Sequence, residues 1–338
     1  MRWSLKLILY FNLLLAAATL LAYISPYVNP AYTWFFSFFS LGFPILLILN
    51  IAFMVFWLMV KPKNIIFSLV ILAVGWGAIK RTVGFELHSD SENGLKVLSY
   101  NIGHTKYFLD GDEGPKNQKA FKSFLNSTDA DVVCIQERTR RHLEVYDALF
   151  EGYSLFPKEF IGTGIYSKLP ILDSGNIYFD TNAHNATWVE VALSGRRIRI
   201  YNIHLSSNKI RQISNKENIK EILDESIFIL DKYNLHAVKR TEQMLKILAH
   251  AGESPYPVVL AGDFNDVPQS YLYRLISDSY CDAFAAKGFG FGKTHKTRLP
   301  ILRIDYMFHS EDLRPLSQKC VKVNYSDHYP LLTSFAVN

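Results

Sequence analysis

Apolar residues fall into two regimes along this chain. Before residue 85 they form long, almost uninterrupted runs; after residue 94 they form short runs that alternate with polar residues or stop at them. Leu5 to Ile24 is the first long run. It contains 20 residues, the most polar after Lys6 at its start being Asn12, Thr19 and tyrosines, and is long enough to cross a ~30 Å hydrocarbon core. Tyr32 to Val60 is the second, with Trp34 and Trp57 near its ends, where interfacial anchors sit. Ile65 to Ile79 is shorter. It reaches spanning length when extended through Val83 or Phe85, or if Lys80 and Arg81 snorkel. The expectation is a transmembrane module over residues 1–85 with three helices, a polar linker over 86–94 that lifts the rest off the bilayer, and a folded domain over 95–338.

Within that domain, short apolar runs read as strands that end in polar residues. They are Leu95–Asn101, Asp131–Glu137, Gly162–Ser167 leading to Ile171, and a hairpin of Ala186–Leu193 with Arg197–Asn202 about Ser194-Gly195. Pro257–Leu260 reads as a buried strand stopping at Gly262; Arg303–Phe308 and Leu331–Val337 follow. Helical spacing marks Gln118–Leu125, Thr139–Phe150 and the long region Asn208–Ala249, where Ile219, Leu223, Ile227 and Leu230 make an apolar stripe. Lys106–Pro115 and Gly288–His295 read as loops, the second near the site.

Charge changes the picture once it is divided. The formal net charge is +5, but residues 1–85 hold Arg2, Lys6, Lys61, Lys63, Lys80 and Arg81 and no acid. That leaves 30 of the 36 basic residues against all 31 acidic ones. The folded domain is near neutral, so the basic excess is a membrane-flank signal and not a nucleic-acid footprint. Arg2, Lys6, Lys61 and Lys63 place the N-terminus and the second loop in the cytoplasm. Three crossings then put the domain on the outer side of a bacterial-type inner or plasma membrane, whereas a third run that is only re-entrant would put it inside. Cys134, Cys281 and Cys320 have no zinc spacing and no disulfide framework. Cys134 reads as a core residue, and a Cys281–Cys320 pair stays open.

Asn101, Glu137, His204, Asp263 with Asn265, Asp305, and Asp327 with His328 all stand at strand ends. A period of two places Asp263 and Asn265 on one face. Carboxylates gathered at the ends of buried strands repel one another unless a cation or proton separates them. Oxygen donors without cysteine suit Mg²⁺, and also Mn²⁺ or Ca²⁺. Glu137 is the leading ligand candidate, supported by Asn101, and two histidines beside such a site fit acid–base work on a phosphodiester.

These residues carry a family resemblance over about 94–337. Ser99-Tyr100-Asn101-Ile102, Ile135-Gln136-Glu137, Gly164–Ile171, Asn202-Ile203-His204-Leu205, Gly262-Asp263-Phe264-Asn265, Arg303-Ile304-Asp305-Tyr306 and Ser326–Pro330 occur in that order. The chain thereby resembles the endonuclease/exonuclease/phosphatase superfamily, as a membrane-anchored bacterial member. The resemblance implies a DNase I-like, four-layer α/β/β/α sandwich behind the transmembrane module. It implies metal binding by Glu137 with Asn101, and a water oriented or deprotonated by Asp263. Asn265 would hold a phosphate oxygen. His328, steered by Asp305, would contact the phosphoryl oxygens. His204 would be a second phosphate-side histidine or general acid, and Asp327 a second metal ligand or a buttress. Abasic-site endonucleases lack a histidine in the position of His204, which turns the reading away from DNA base-excision repair.

The functional expectation is a Mg²⁺-dependent hydrolase of phosphodiester bonds, its partners the bilayer and a nucleic acid or phospholipid head group. The alternatives are a sphingomyelinase-like or phosphoinositide phosphatase-like lipid phosphoesterase, favoured by tethering next to lipid head groups, and a non-catalytic membrane-tethered binding domain.

Overall fold

The computed structural model describes residues 3–86, 94–105, 114–159, 162–179, 185–207, 219–297 and 301–337, with the backbone alone over 219–230. The two long apolar runs form α1 (Trp3–Ile24) and α2 (Phe35–Val60). Both are apolar on every side, as lipid-facing helices must be, and both are long enough to cross a membrane. The third run departs from the expected straight helix. It forms α3 (Ile65–Val74) and α4 (Trp76–Thr82), which meet at Gly75 with a 65° bend. A side chain at Gly75 would collide with the Tyr23 ring, whose hydroxyl donates to Ile71 O at 3.1 Å. Pro62–Val74 alone covers about 20 Å, so the run makes a full crossing only as a bent pair.

Buried polar side chains join the three helices. Asn12 donates to Ser68 (3.2 Å) and accepts from Trp57 Nε1 (2.9 Å), while Asn50 donates to Thr19 (2.8 Å). Hydrogen bonds between helices are what an apolar solvent leaves available for specifying their register.

The domain that follows is built from β1 (Gly84–Phe85), β2 (Leu95–Asn101), α5 (Gly114–Thr128), β3 (Val132–Gln136), α6 (Leu143–Leu149), β4 (Ser154–Phe156), β5 (Gly164–Ser167), β6 (Ile171–Tyr178), β7 (Asn185–Leu193), β8 (Arg196–His204), α7 (Ile219–Gly252) and β9 (Val258–Asp263). It continues with α8 (Tyr271–Ser277), β10 (Cys281–Asp282), α9 (Ala283–Lys287), β11 (Phe289–Gly290), β12 (Asp305–His309), β13 (Arg314–Cys320) and β14 (Leu331–Ala336). One six-stranded sheet runs β10-β12-β9-β8-β7-β6 and a second runs β13-β14-β2-β3-β5-β4. Both are mixed: β8 with β9 and β2 with β3 are parallel pairs, and the other neighbours are antiparallel.

Strand periodicity sorts the side chains into layers. Val97, Val132 and Cys134 of one sheet meet Ile198, Ile200, Val259, Ala261 and Met307 of the other in a shared apolar interior. The alternate residues face outward. Tyr201, Ile203, Leu260 and Phe308 are covered by Met244 and Ile247 of α7 and Leu272 and Ile276 of α8. On the opposite side Leu98, Tyr100, Val133 and Ile135 are covered by Phe121 and Leu125 of α5 and Tyr146 and Leu149 of α6. This is the four-layer sandwich. The long helical region begins at Ile219 and ends at Gly252; the stripe expected at Ile219, Leu223, Ile227 and Leu230 lies outside the described side chains. Cys134 is buried, and Cys281 and Cys320 are both free thiols.

The sandwich packs directly on the N-terminal helices. Gln269 Nε2 donates to Ala78 O (2.8 Å) and Thr82 Oγ1 (3.1 Å), and its Oε1 accepts from Arg81 Nη2 (3.1 Å). Arg303, buried, donates to Arg81 O (2.6 Å) and to Asp282 (2.8 Å). β1 pairs with β11, and Phe291 packs on the cluster of Phe43, Leu47 and Ile79. Arg81, a snorkelling candidate in the sequence, is thus held by the domain. Most of the expected linker, 87–93, lies outside the described residues.

Strand β9 does not stop at Gly262 but runs through it to Asp263, paired with Ile203–His204 and Asp305–Tyr306. Gly262 has φ 145°, and a Cβ there would strike the backbone oxygen of Ile203. Gly262→Ala is expected to destabilise the folded domain by roughly 3 kcal/mol or more, measured as a lowered thermal midpoint against wild type in the same detergent.

Candidate active site

The inward-facing positions that are apolar in the middle of each strand become polar at one end. Asn101 follows Val97 and Ser99 on β2, His204 follows Ile198, Ile200 and Asn202 on β8, and Asp263 follows Val259 and Ala261 on β9. Asp305 lies two residues before Met307 on β12, which runs antiparallel to β9 and so brings its first residue to the same end. The period of two therefore aims these four side chains into the interior from both sheets.

Glu137 reaches the site by a different device. Inward positions on β3 are Val132, Cys134 and Gln136, so continued alternation would turn Glu137 away. Its φ of 56° breaks the strand at that point. The next residue, Arg138, is buried and donates to Thr163 O (2.8 Å) and Tyr166 Oη (3.2 Å), which fixes the turn. Asn265, also left-handed at φ 55°, departs from the same-face expectation because the strand has ended at Asp263. Its backbone N–H donates to Asp263 Oδ1 (2.9 Å) and its side chain to Leu205 O (3.0 Å).

The groups meet at hydrogen-bond and ion-pair distances. Asn101 Nδ2 lies 3.0 Å from Asp263 Oδ2 and 3.2 Å from Glu137 Oε1, bridging the two carboxylates. In this rotamer Asn101 offers donors to the centre, and its Oδ1 accepts from Gly103 N (3.0 Å); acting as a ligand would require the amide to turn. His204 Nε2 stands 3.5 Å from Glu137 Oε1 and 4.0 Å from Asp263 Oδ2. His328 Nε2 stands 3.9 Å from Asp263 Oδ2, and its Nδ1 is 2.9 Å from Asp305 Oδ2. Asp327 is placed apart from them: its Oδ1 accepts from Ser326 (3.1 Å) and its Oδ2 lies 4.0 Å from His295 Nε2.

Two histidines absent from the sequence-based set line the same centre. His104 Nε2 lies 3.4 Å from Glu137 Oε2, and the His295 ring meets His328 edge-on at 4.8 Å. His104 carries φ 54°, which a motif-based reading has no means of registering. His295 comes from a Gly- and Phe-rich loop whose only sequence signal was its position.

Electrostatics separates the two central histidines. Burial disfavours the charged form of both. At His204 it dominates over the attraction of Glu137, and the pKa falls to about 4. At His328 burial is outweighed by the carboxylates of Asp305 and Asp263, and the pKa rises to about 10. Asp263 is pushed upward by burial and by the charge of Asp305, against the pull of His328. Burial thus favours a neutral imidazole at His204, while the neighbouring carboxylates favour the protonated form at His328. Asp263, Asp305 and His328 each offer a ligand atom within 4.8 Å of the others, a spacing that could hold a metal ion. Three carboxyls against one imidazolium leave an excess of oxygen donors, which fits a hard divalent cation.

Behind these groups a buried amide pair joins the two sheets. Gln136 Nε2 donates to Asn202 Oδ1 (2.6 Å), and Asn202 Nδ2 donates to Ile135 O (2.8 Å) and Gly164 O (2.9 Å). Arg240, fully buried, donates to Asp266 (3.1 and 3.2 Å) and to Ser206 O (3.2 Å). It ties the loop after Asp263 to the segment after His204.

Residues 98–328 match the model of the Endonuclease/Exonuclease/phosphatase family. Residues 5–82 match a domain of unknown function, DUF8431. No curated protein sequence matches the chain. Among solved structures, D. rerio TDP2 complexed with single strand DNA product is 19% identical, with 72% of this chain and 100% of that one covered and a TM-score of 0.52. A mannosyl-6-phosphatase from Bacteroides thetaiotaomicron is 15% identical over 72% and 99%, with a TM-score of 0.51. An endonuclease/exonuclease/phosphatase from Bacteroides vulgatus is 18% identical over 73% and 100%, with a TM-score of 0.52. At these identities the likeness establishes the fold.

An unfolded histidine titrates near pH ~6.5 and His204 in the fold near 4. The neutral side chain contributes full stability above 6.5, and that contribution is lost as pH falls through 6.5 toward 4. His204→Gln removes the titration. Wild type is therefore expected to lose roughly 2 kcal/mol relative to the variant between pH 7.5 and pH 5, read from denaturation midpoints in the presence of a chelator.

Proposed function

The chain belongs to the endonuclease/exonuclease/phosphatase family of phosphoesterases, and from that premise we propose that it is a membrane-anchored, divalent-metal-dependent hydrolase of phosphodiester bonds. The observation that carries this reading is the convergence of Asn101, Glu137, His204, Asp263, Asp305 and His328 from both sheets on one point. Mg²⁺ would be held by Glu137 with Asn101, with Mn²⁺ or Ca²⁺ as substitutes; within the Asp263–Asp305–His328 group it would bind only with His328 deprotonated, which excludes the donor role of His328 given below. When bound, it would supply neutralisation of charge on the phosphoryl oxygens.

The protein's own groups perform the rest. Asp263, its proton affinity raised by burial, orients the attacking water and takes its proton. His328, kept protonated by Asp305, donates to a non-bridging phosphoryl oxygen. His204, neutral and on the other side of Asp263, holds a second oxygen or passes a proton toward the leaving alkoxide. Asn265 positions Asp263 through its backbone N–H, and the second hydrogen of its Nδ2, the first being given to Leu205 O, is the donor it would offer to a phosphate oxygen. Asp327 acts through His295 as a buttress or as a ligand for a second metal.

The outward orientation rests on the arrangement of the module. The Lys61–Asn64 turn lies at the end of α2 where Trp57 bonds Asn12. The sandwich packs at the other end, against Phe43, Leu47 and Ile79. With basic loops on the cytoplasmic side, the catalytic domain faces outward. A lipid phosphoesterase is the second reading, favoured by the direct packing of α4 on Gln269 and Arg303, which holds the site at a set position relative to the bilayer.

Glu137→Ala, Asp263→Ala and His328→Ala are each expected to lower kcat/KM by about 10² to 10⁴. Chelation should abolish activity and added Mg²⁺ should restore it. Detergent-solubilised protein assayed side by side on plasmid DNA, RNA, sphingomyelin and phosphoinositides distinguishes the readings. Turnover of nucleic acid supports the first, and turnover of bilayer lipid alone supports the second. Metal-independent turnover, or full activity in all three variants, would overturn both.

A further inference from the structure

A pocket of about 350 Å³ lies between α9, β11 and β13, and none of the residues of the carboxylate centre is in its lining. Phe284, Phe289 and Phe291 wall it and Gln318 lines it from β13. Gln318 is 2% exposed, and among the described residues neither its Nε2 nor its Oε1 has a hydrogen-bond partner. A buried amide in that state forfeits of order 1–3 kcal/mol per group unless something polar reaches it. Lys293 and Lys322 complete the polar lining, and among the described residues the lining holds no Asp or Glu. Lys322 Nζ is 3.0 Å from Lys293 O and stands 4.0 Å over the Tyr329 ring. The volume is that of a small-ligand site, and its charge selects an anion.

The walls of the pocket are also the contact with the membrane module. Phe291 packs on Phe43, Leu47 and Ile79. Phe289 pairs through its backbone with Phe85, whose ring stacks on Trp76 at 5.9 Å. Trp76, Phe85 and Phe289 are 52, 58 and 58% exposed. They continue the exposed apolar face of α3 at Val70 and Val74. Lys80 Nζ stands over Trp76 at 5.7 Å. An aromatic ridge flanked by lysines, continuous with a lipid-facing helix, is the composition of a bilayer interface.

We infer that this pocket binds an anionic phospholipid from the leaflet next to the catalytic domain. Its phosphate meets Lys293 and Lys322, its glycerol-ester oxygens supply the partners Gln318 lacks, and its acyl chains leave over Phe289, Phe85 and Trp76. The site is independent of the hydrolytic centre and is measured without turnover.

Full-length protein, delipidated in detergent and held in chelator, is titrated with phosphatidylglycerol or phosphatidylcholine, and bound lipid is counted by native mass spectrometry. The expected result is retention of phosphatidylglycerol at least about tenfold tighter than phosphatidylcholine, from two lysines near an anionic phosphate. Lys293→Glu with Lys322→Glu should abolish that preference, and Gln318→Leu should weaken binding, while Arg197→Glu on the opposite edge leaves it unchanged. Lys293→Gln with Lys322→Gln serves if the glutamate pair fails to fold. A diazirine-bearing phosphatidylglycerol should label the β11 segment in wild type. Equal retention of the two lipids, undiminished binding in the lysine variants, labelling confined elsewhere, or equal competition by glycerol 1-phosphate without chains would overturn the assignment.

Discussion

Two sheets share one interior, and that interior changes from hydrocarbon to polar groups within one or two inward positions. The strands are fixed in register by their backbone ladders, so the residue after an inward Val or Ala two positions along must also face inward. On β9 that residue is Asp263, the inward position directly after Ala261, while on β2 and β8 one polar step, Ser99 or Asn202, precedes Asn101 and His204. The apolar positions that hold the sheets together are thus the same positions that hold the polar groups in place. A slip of one residue in β9 would expose Ala261 and bury Gly262 and Phe264 in the wrong layer, and would remove Asp263 from His328. Stability and site geometry rest on one pairing.

Burying Asp263 and Asp305 at 1 and 3% exposure is unfavourable unless charge and hydrogen bonds offset it. The structure supplies both locally. His328 stands between the two carboxylates, and Asn101 donates to Asp263 and Glu137 together. Further back, each polar group near the centre has a polar neighbour that would itself be stranded by its loss: Gln136 with Asn202, Arg240 with Asp266, Arg303 with Asp282. Removing one partner leaves the other buried and unpaired, which is more damaging than the pair is stabilising. The site is held rigid by this mutual dependence more than by any single strong bond.

Much of this was legible in the primary structure because central strands announce themselves. β2, β3, β8, β9 and β12 are apolar runs with a polar last or first residue. Edge strands do not. β13 begins Arg-Pro-Leu-Ser and β6 contains Asp-Ser-Gly-Asn, and both sit at the outside of their sheets, where proline and exposed polar residues are tolerated. Glu137 joins the group for a reason the alternation rule does not contain, since a left-handed backbone and not the strand period turns it inward. The same kind of backbone turn took Asn265 off the face that period two assigned to it. His104, His295 and the Gln136–Asn202 pair are contacts between distant segments, for which local patterning has no signal.

The bend at Gly75 shows how the N-terminal helices and the sandwich become one object. Had the third run continued straight, Lys80 and Arg81 would have carried it into lipid or solvent. Instead the Tyr23 ring occupies the space beside Gly75, α4 turns aside, and Arg81 offers its side chain to Gln269 and its carbonyl to Arg303. Arg303 is two residues before Asp305, and its guanidinium is shared between Arg81 O and Asp282. The backbone that delivers Asp305 to His328 is therefore anchored, through one buried arginine, to a helix that ends the membrane module. Displacement of α4 relative to the sandwich must either break a buried charge-assisted contact or move the start of β12. Because both are costly, the position of α4 on the sandwich and the placement of the Asp305–His328 pair are mechanically coupled.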